Sequence, residues 1–423
     1  MTRQDRLYER IRNKKSLRKA WAKIYENGKQ SPSEETQKLV TEYKQDEEKN
    51  LKQLSDKLRK KIFDFGTARG VAGSKKGNED GKKKSKKLRP IVSASIEARV
   101  VQRAILDELS SRKEIKKYFF VPSSFGAIPS KGVPDAIRAT VLAIQGGAKY
   151  YIKSDIADFF TKIPRPDVVG QISGFWNDDD FSQLLEKATN IEIENLAALE
   201  RKHGAEFKDN FVFDKTGTPQ GCCLSPLIGN ILLHEFDEQI NTEDVTCLRY
   251  LDDFIIMGPT YKAVHGAFYK KAHRLLSKHK LEAYDLKTRP DKASQGTLNE
   301  FEFLGIEFRD KLIRPSSASR KKLIMSIGKT LGVVPNDDNE NEKSLSLVNA
   351  LYYISNMIRG WGNQYKFCND TALMGSLDAK ISQLIVPYFF KFAKKLTPKD
   401  QDTQRRFIGI WSLKDCKKEP ISF

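Results

Sequence analysis

The sequence predicts an α+β protein in which an antiparallel sheet is backed by helices and followed by an all-helical region. Between residues 150 and 308 the pattern is strand, helix, strand, strand, helix, strand, the order of a split βαβ arrangement. Apolar residues recur at helical spacing before residue 63 and again after residue 316. The predicted sheet therefore lies in the middle of the chain, between two helical regions.

The length and charge of the chain indicate a large folded protein with a polyanionic partner. At roughly 150 residues per folding unit, a chain of 423 residues makes about three units. Lysine and arginine number 74 and aspartate and glutamate 55, so the formal net charge is +19. That charge attracts nucleic acid or, as a second choice, an acidic membrane surface, and an enzyme of small molecules alone does not need it. With 24 Phe and 14 Tyr the chain is too aromatic to be disordered.

The cysteine pattern and the length of the apolar segments indicate the cellular compartment of the protein. The five cysteines are odd in number and form no C-x-x-C pair or zinc-ligand spacing with histidine, so we expect a reducing cytoplasm. The amino-terminal segment alternates charged residues with single apolar ones and has no apolar run of a signal peptide. No stretch approaches the roughly eighteen apolar residues of a transmembrane helix, and no membrane partner is expected.

The first part of the chain is predicted to be helical and then irregular. Residues 1–65 form a helical extension with apolar side chains at helical spacing. Residues 66–90 are rich in Gly, Ser and Lys and predict a mobile basic loop. The pattern from Arg89 to Leu109 is again helical.

The central part begins with a buried strand that runs into a helix start at residues 150–164. Residues 175–205 are predicted to be helical, opened by an acidic cluster that suits a helix N-terminus. Ser225 and Pro226 have the residue types of an N-cap and a first helical position. The apolar stripe of the helix that follows indicates core packing and comprises Ile228, Leu232, Phe236 and Ile240.

Two short apolar runs, 246–250 and 254–258, flank an acidic turn and predict a β-hairpin. Residues 262–281 return to helical spacing, and residues 301–308 return to a strand pattern. From Ser316 onward the pattern is helical, interrupted by an acidic linker. The sequence thus predicts a second, all-α lobe.

Three aspartates carry the chemistry that the predicted sheet makes possible. Asp155 ends a predicted strand, while Asp252 and Asp253 lie in the hairpin turn of the same sheet. Clustered carboxylates are tolerable beside a hard cation, which indicates two Mg²⁺ ions, with Mn²⁺ as an alternative. With a basic protein this pattern fits two-metal formation of a phosphodiester bond. Taken alone, the Asp252-Asp253 pair favours an ordinary solvated turn over a metal site.

Three motifs in order resemble those of bacterial reverse transcriptases: D-I-x-D-F-F at 155–160, G-T-P-Q-G-x-x-L-S-P at 217–226 and R-Y-L-D-D at 249–253. Further segments resemble the branch of group II introns, retrons and, most closely, stand-alone phage-defence enzymes; they are K-L-R-P-I at 87–91, R-V-V-Q at 99–102, S-F-G at 124–126, D-L-K-T at 285–288, F-L-G-I at 303–306 and I-R-G-W-G-N-Q-Y at 358–365. The resemblance implies a right-hand polymerase with fingers at 66–149, a palm with some fingers elements at 150–312, and a helical thumb and tail at 313–423.

The resemblance also implies roles for individual residues. The catalytic groups are Asp155, Asp252 and Asp253, which with the Ile156 carbonyl are the implied metal ligands. The implied nucleotide-binding residues are Lys87, Arg89, Phe160, Gln220 and Lys287. The implied template and primer contacts are Gly221, Tyr250, Phe303, Leu304, Gly305 and Trp361.

Several of these residues have an ordinary structural alternative. Phe160 falls at the position of a steric gate against ribonucleotides, yet beside Phe159 it also suits the core. Lys87 and Lys287 are equally compatible with a solvated surface. Trp361 and Tyr365, four residues apart on a helix, suit core packing as well as a duplex contact.

The resemblance implies an RNA-directed DNA polymerase whose partners are an RNA template, dNTPs and the DNA product. The chain has Leu251 where most of the branch has Ala, and it lacks the hallmarks of retrons and diversity-generating elements. The segment after residue 365 is short for the DNA-binding and endonuclease domains of mobile intron proteins, so we expect a self-standing enzyme that copies a noncoding RNA in anti-phage defence. The alternatives are an intron maturase that binds RNA without turnover, and a template-independent or protein-primed polymerase; the oligomeric state stays open.

Overall fold

The computed structural model describes residues 6–31, 33–74, 88–211, 216–333, 347–390, 400–402, 405 and 410–422. The chain divides into two compact units. Unit 1 comprises Met1–Gly132, Ser154–Phe254 and His265–Ala293, and unit 2 comprises Val133–Lys153, Ile255–Val264 and Ser294–Phe423. The boundaries given above for fingers, palm and thumb stay predictions.

Helices account for most of the described residues and are numbered in chain order. Those before residue 150 are α1 (Leu7–Ile11), α2 (Lys14–Gly28), α3 (Glu34–Gln45), α4 (Glu47–Arg59), α5 (Ile96–Ser111), α6 (Lys113–Phe119) and α7 (Val133–Gln145). The central ones are α8 (Phe159–Lys162), α9 (Arg165–Ser173), α10 (Asp179–Thr189), α11 (Leu196–His203), α12 (Ala205–Asp209), α13 (Ser225–Leu232), α14 (His234–Ile240), α15 (Tyr261–Gly266) and α16 (His273–Ser277), with a π-helical turn at Ala267–Ala272. The last are α17 (Ser317–Thr330), α18 (Leu347–Gln364) and α19 (Thr371–Phe390), followed by a 3₁₀ turn at Leu413–Asp415.

The described strands form three sheets. They are β1 (Arg69–Ser74), β2 (Leu88–Ser93), β3 (Tyr150–Asp155), β4 (Thr246–Tyr250), β5 (Asp253–Gly258), β6 (Ala293–Thr297), β7 (Glu300–Phe303), β8 (Ile306–Arg309) and β9 (Leu312–Pro315). The sheets have the orders β1-β2, β4-β5-β3-β6 and β7-β8-β9. The mixture of helices with antiparallel sheet confirms the predicted α+β class and is consistent with a right-hand polymerase.

Both ends of the segment that was predicted to be a basic loop are β-strand. Residues 69–74 pair with 88–93 in an antiparallel hairpin, so both ends of the supposed loop are strand. Residues 88–93 are therefore not helical, and α5 starts only at Ile96 after Ser95 caps it through the Ala98 N–H. Pro90 explains the difference, because it has no N–H for a helix and fits a two-stranded hairpin. Residues 75–87, including Lys87, lie outside the described part of the chain.

The helix that follows the second motif begins differently from the prediction. Leu224 occupies the N-cap position, and Ser225 is the first helical residue with Pro226 next to it. The Ser225 hydroxyl donates to the Pro219 carbonyl oxygen at 2.8 Å and so serves the preceding loop. The predicted apolar stripe is buried as expected, although the helix is interrupted at Leu233.

The fourth strand of the central sheet was predicted in the wrong place. Residues 293–297 fill that position as β6, and their sequence ASQGT has no apolar alternation by which to recognise a strand. Residues 301–308 instead belong to a hairpin, with β7 and β8 joined at Leu304 and Gly305. Both turn residues have positive φ, 51° and 74°, which suits a tight two-residue connection.

The predicted hairpin at 246–258 and the strand at 150–155 are confirmed as β4, β5 and β3. The helical extension and the helices after Ser316 are confirmed as well. None of the described helices has the length and apolar character needed to cross a membrane. All five cysteines are free thiols; the cytoplasmic location stays a prediction.

Candidate active site

The acidic turn between β4 and β5 is held in a specific geometry. Leu251 has φ +58°, in the left-handed region that non-glycine residues seldom adopt. The Ile156 N–H donates to the Asp252 carbonyl oxygen at 2.9 Å, which joins the turn to the end of β3. The sequence therefore brings the turn and Asp155 together, as the sheet order predicted.

The end of β3 is fixed by the segment that follows α16. The Tyr284 N–H donates to the Asp155 carbonyl oxygen at 3.1 Å, and the Ala157 N–H donates to the Glu282 carbonyl oxygen at 2.7 Å. The Asp155 N–H donates to the Lys292 carbonyl oxygen at 3.3 Å. These main-chain bonds leave the Asp155 side chain at the edge where β5 begins.

Lys292 is a site residue that sequence reasoning missed. Its ammonium group donates to Asp155 Oδ2, and both side chains are less than one-fifth exposed. Burial lowers the pKa of Lys292, but the hydrogen bond and charge of Asp155 and the charge of Asp253 outweigh it, so the net shift is upward. Lys292 therefore stays a cation against these acids. No motif marks this lysine, and 137 residues separate it from its partner.

Asp253 has the strongest perturbation in the site. Burial, a hydrogen bond shared with Asp155, and the charges of Asp155 and Asp252 together raise its pKa to about 9, and Lys292 only partly opposes this. Two carboxylates in contact cannot both stay ionised in a buried site without a compensating cation. Lys292 offsets only part of this repulsion, so the pKa of Asp253 lies well above that of an ordinary carboxyl group.

Two of the three aspartates, Asp155 and Asp253, lie close enough together to bind the same divalent cation. Among the described residues, no three acidic, histidine or cysteine side chains form a ligand group, so Asp252 does not complete a triad with the other two. The pair Asp155 and Asp253 does fit a hard cation, since it offers adjacent, partly buried carboxylate oxygens whose mutual repulsion a cation would relieve. The donor chemistry is right for Mg²⁺ or Mn²⁺.

The loop of the second motif runs beside β2. The Val92 N–H donates to the Gln220 carbonyl oxygen at 2.7 Å, and residues 91 and 220 form a parallel bridge. Gly221 has φ +122°, and an added Cβ would overlap the Val92 carbonyl oxygen. Only glycine fits there, because both the torsion and the space exclude a side chain.

The same loop is bonded to the start of α8. The Thr218 N–H donates to the Phe160 carbonyl oxygen at 2.7 Å. Phe160 is half-buried, whereas its neighbour Phe159 is 2% exposed and lies where a Cβ on Gly229 would touch it. Phe159 is thus the core ring, and Phe160 is the ring with a free edge.

The predicted cationic groups differ in their surroundings. Arg89 is exposed on β2, on the same face as Ile91. Lys287 is exposed, and its N–H donates to Asp285 Oδ1 at 2.9 Å. Tyr250 is partly buried at the end of β4. The lysine that touches Asp155 is Lys292, which the motifs did not mark, and not Lys287.

The remaining template and primer candidates belong to unit 2. Phe303 is buried at the end of β7, and Leu304 and Gly305 form the turn that the resemblance implied. Trp361 Nε1 donates to Ser319 Oγ at 3.0 Å, and its ring lies 4.6 Å from that of Tyr365. These bonds attach α18 to α17 and favour the packing alternative for the two aromatic residues.

Comparison with solved structures gives weak similarity. Two matches are to a partial Cas6-RT-Cas1–Cas2 complex and to a Cas6-RT-Cas1–Cas2 complex, each at 20% identity with a TM-score of 0.32. Each match covers 60% of this chain; the first covers 39% and the second 24% of the matched chain in the solved structure.

Curated relatives include proteins associated with introns. The chain is 30% identical over 196 residues to the group II intron-encoded protein LtrA of Lactococcus lactis subsp. cremoris, covering 46% of this chain and 29% of that protein. It is 28% identical over 200 residues to an uncharacterised 91 kDa protein in the cob intron of Schizosaccharomyces pombe, covering 47% and 22%. The match to protein YkfC of Escherichia coli K12 is 27% over 166 residues, covering 38% and 39%. The chain thus spans well under half the length of these relatives.

The family itself is shown by a match to a sequence profile described as reverse transcriptase (RNA-dependent DNA polymerase). The match covers residues 81–308, which is more than half of the chain and includes β3, the second motif and the acidic hairpin. On this match, the chain belongs to the reverse transcriptase family.

Proposed function

We propose that the chain catalyses RNA-directed DNA synthesis at the site around Asp155. The observation that carries the proposal is the contact between Asp155 and Asp253, two partly buried carboxylates brought together from β3 and from the acidic turn. In a protein that only binds RNA, carboxylates at the binding surface would weaken the binding, because they repel the phosphate groups. The family membership supports the same function.

Asp155 and Asp253 are the side chains that would hold a divalent cation directly, while Asp252 and the Ile156 carbonyl keep the ligand roles that the resemblance implied. Such ions lower the pKa of a bound hydroxyl and neutralise charge on a phosphoryl group. Asp155 also receives a hydrogen bond from Lys292, which keeps its carboxylate oriented. The Asp252 carbonyl oxygen accepts from the Ile156 N–H, which joins the turn to the end of β3.

The neighbouring groups suit an incoming nucleotide. Arg89 on β2 presents an exposed guanidinium suited to bidentate phosphate binding. Gln220 and Gly221 lie beside β2, where the glycine permits the close approach of the Val92 carbonyl; their contacts with template and incoming base are those that the resemblance implied. Lys87 and Lys287 keep the nucleotide roles that the resemblance implied, and Phe303, Leu304, Gly305, Tyr250 and Trp361 keep their template and primer roles as proposals.

The proposed activity is tested by primer extension. We expect the purified chain to add dNTPs to a DNA primer annealed to RNA, and chelation of divalent cations to stop the reaction. The control is the same primer without a template, which measures template-independent addition. Equal incorporation with and without RNA would contradict the proposal in favour of template-independent synthesis.

The partner RNA is a separate question. Anti-phage defence with a dedicated noncoding RNA stays a hypothesis, while the similarity to a group II intron-encoded protein supports intron RNA as the rival partner. We expect RNA sequenced from the purified chain to be a short noncoding species, and loss of Asp252 and Asp253 to abolish protection in a phage panel. Bound intron RNA together with unchanged phage plating would reject the defence hypothesis.

A further inference from the structure

Arg249, two residues before the acidic turn's left-handed Leu251, has all five of its N–H donors engaged. Its side chain is 1% exposed and lies within unit 1. The bonds go to both carboxylate oxygens of Asp237, to Asn230 Oδ1 at 3.2 Å, to Ser124 Oγ at 2.9 Å and to the Leu251 carbonyl oxygen at 2.9 Å. A guanidinium offers five donors in a rigid plane, so no donor is left over.

These partners come from four different parts of unit 1. Asn230 lies on α13, Asp237 on α14, and Ser124 in a segment that pairs with β4 through the Arg249 main chain. The remaining partner, Leu251, is in the turn itself. Arg249 therefore connects two helices and a neighbouring segment to the residue that directly precedes Asp252.

The turn needs such support because its conformation is strained. A left-handed residue other than glycine costs roughly 1 kcal/mol or more, and it persists only where its surroundings fix it. On one side Arg249 Nη1 binds the Leu251 carbonyl oxygen. On the other, the backbone of Gly126 lies so close that an added Cβ would be 2.5 Å from the Leu251 nitrogen.

Stability alone does not account for this arrangement. Two apolar residues of similar size often stabilise a fold as well as a buried ion pair does, since burial of the charges is costly. What an apolar pair does not supply is a donor aimed at the Leu251 carbonyl. The geometry fits a role in placing the turn.

We propose that Arg249, anchored by Asp237, is a positioning residue that holds Leu251 in its left-handed conformation and thereby places the Asp252 and Asp253 carboxylates. The inference rests on the proposed polymerase function for its effect on rate. A displacement of about 1 Å at a catalytic group costs on the order of a hundredfold in rate. Without the Arg249 bond the turn has one support fewer against relaxation.

The test uses Arg249→Lys and the double variant Arg249→Met/Asp237→Leu, both in the full chain. Lysine retains the positive charge beside Asp237. It lacks the planar guanidinium group, whose several N–H donors bind Asp237 and the Leu251 carbonyl oxygen at the same time. The double variant replaces both charges by apolar side chains in the same buried space, so we expect the fold to persist where the lysine variant is unstable. Arg405→Lys is the matched control, because Arg405 is also 1% exposed and binds Asp378 at 2.8 Å, but lies in unit 2.

Two readouts separate positioning from stability. Amide hydrogen exchange at residues 250–253 reports the order of the turn without turnover, and we expect it to rise at least tenfold in both Arg249 variants but not in Arg405→Lys. In primer extension, normalised to the burst of active enzyme, we expect kcat to fall at least tenfold while KM for dNTP changes less than twofold. A merely structural role would lower the burst and leave kcat unchanged.

The outcomes are distinguishable from failure of the proposed function. Unchanged exchange in the turn, or an equal kcat loss in Arg405→Lys, would overturn the positioning role. If the wild-type chain shows an ordered turn but no RNA-templated incorporation, the polymerase proposal fails, and exchange alone then decides whether Arg249 holds the turn.

Discussion

Replacing Asp252 and Asp253 together by alanine is expected to lower dNTP incorporation on primed RNA by about three orders of magnitude or more, since cations at such a site contribute several kcal/mol to the transition state. The fold should persist. Burial and the neighbouring charges raise the pKa of Asp253 to about 9, which means that its ionised form is unfavourable in the folded chain. Removing this carboxyl group therefore does not lower the free energy of unfolding through lost charge interactions. Incorporation under steady-state conditions and the thermal midpoint are the two measurements.

The matched control for this variant is Glu243→Ala/Asp244→Ala. These two acids are likewise adjacent in the chain and lie exposed just before β4, and their replacement changes the formal net charge by the same amount. Near wild-type incorporation is expected there, because both residues precede β4, whereas the acidic turn follows the other end of that strand. If the Asp252/Asp253 variant extends primers at the wild-type rate, the acidic turn is an ordinary surface turn and the proposed site is wrong.

The sequence predicts this hairpin because its information is local. Two apolar runs flank two acids, and everything needed to recognise β4 and β5 lies within thirteen residues. The same holds for β3, whose strand pattern ends at Asp155. Both partners of this contact can be recognised from their local sequence patterns. The order of strands in the sheet is then enough to bring Asp155 and the turn together.

The parts that sequence reasoning missed depend on contacts between distant residues. Lys292 is one lysine in a strongly basic chain, and only the folded chain shows that its ammonium reaches Asp155. The strand β6 has no apolar alternation, so its place beside β3 is set by the sheet and not by its own residues. In the same way Arg249 looks like part of a motif, while its role depends on Asp237 and Ser124 from other elements.

The predicted helix and strand boundaries were wrong where the spacing of apolar side chains and a backbone constraint favour different structures. The residues around Pro90 have helical spacing of apolar side chains, yet the proline and the pairing with β1 favour a strand. Residues 301–308 alternate like one strand, yet two residues with positive φ divide them into a hairpin. In both cases a single backbone constraint outweighs the side-chain pattern.

Phe160→Ala is expected to raise the use of rNTPs relative to dNTPs by roughly tenfold or more, because a pocket that rejects one extra group by bulk discriminates by about that factor. The structural basis is the contrast with Phe159. Phe159 fills the core beside Gly229, whereas Phe160 keeps a free edge while its carbonyl oxygen is held by the Thr218 N–H. Loss of the Phe160 ring therefore opens space at the site without moving the backbone that carries it.

The measurement is the ratio of kcat/KM for an rNTP to that for the matching dNTP. This ratio does not depend on how much of the preparation is folded, so Phe159→Ala is a fair control even though loss of a core phenylalanine costs about 3–5 kcal/mol. We expect Phe159→Ala to reduce yield and leave the ratio unchanged. If Phe160→Ala is active with an unchanged ratio, its ring is packing and the selectivity against ribose arises elsewhere; if both variants shift the ratio equally, the effect comes from a loosened α8 and not from a gate.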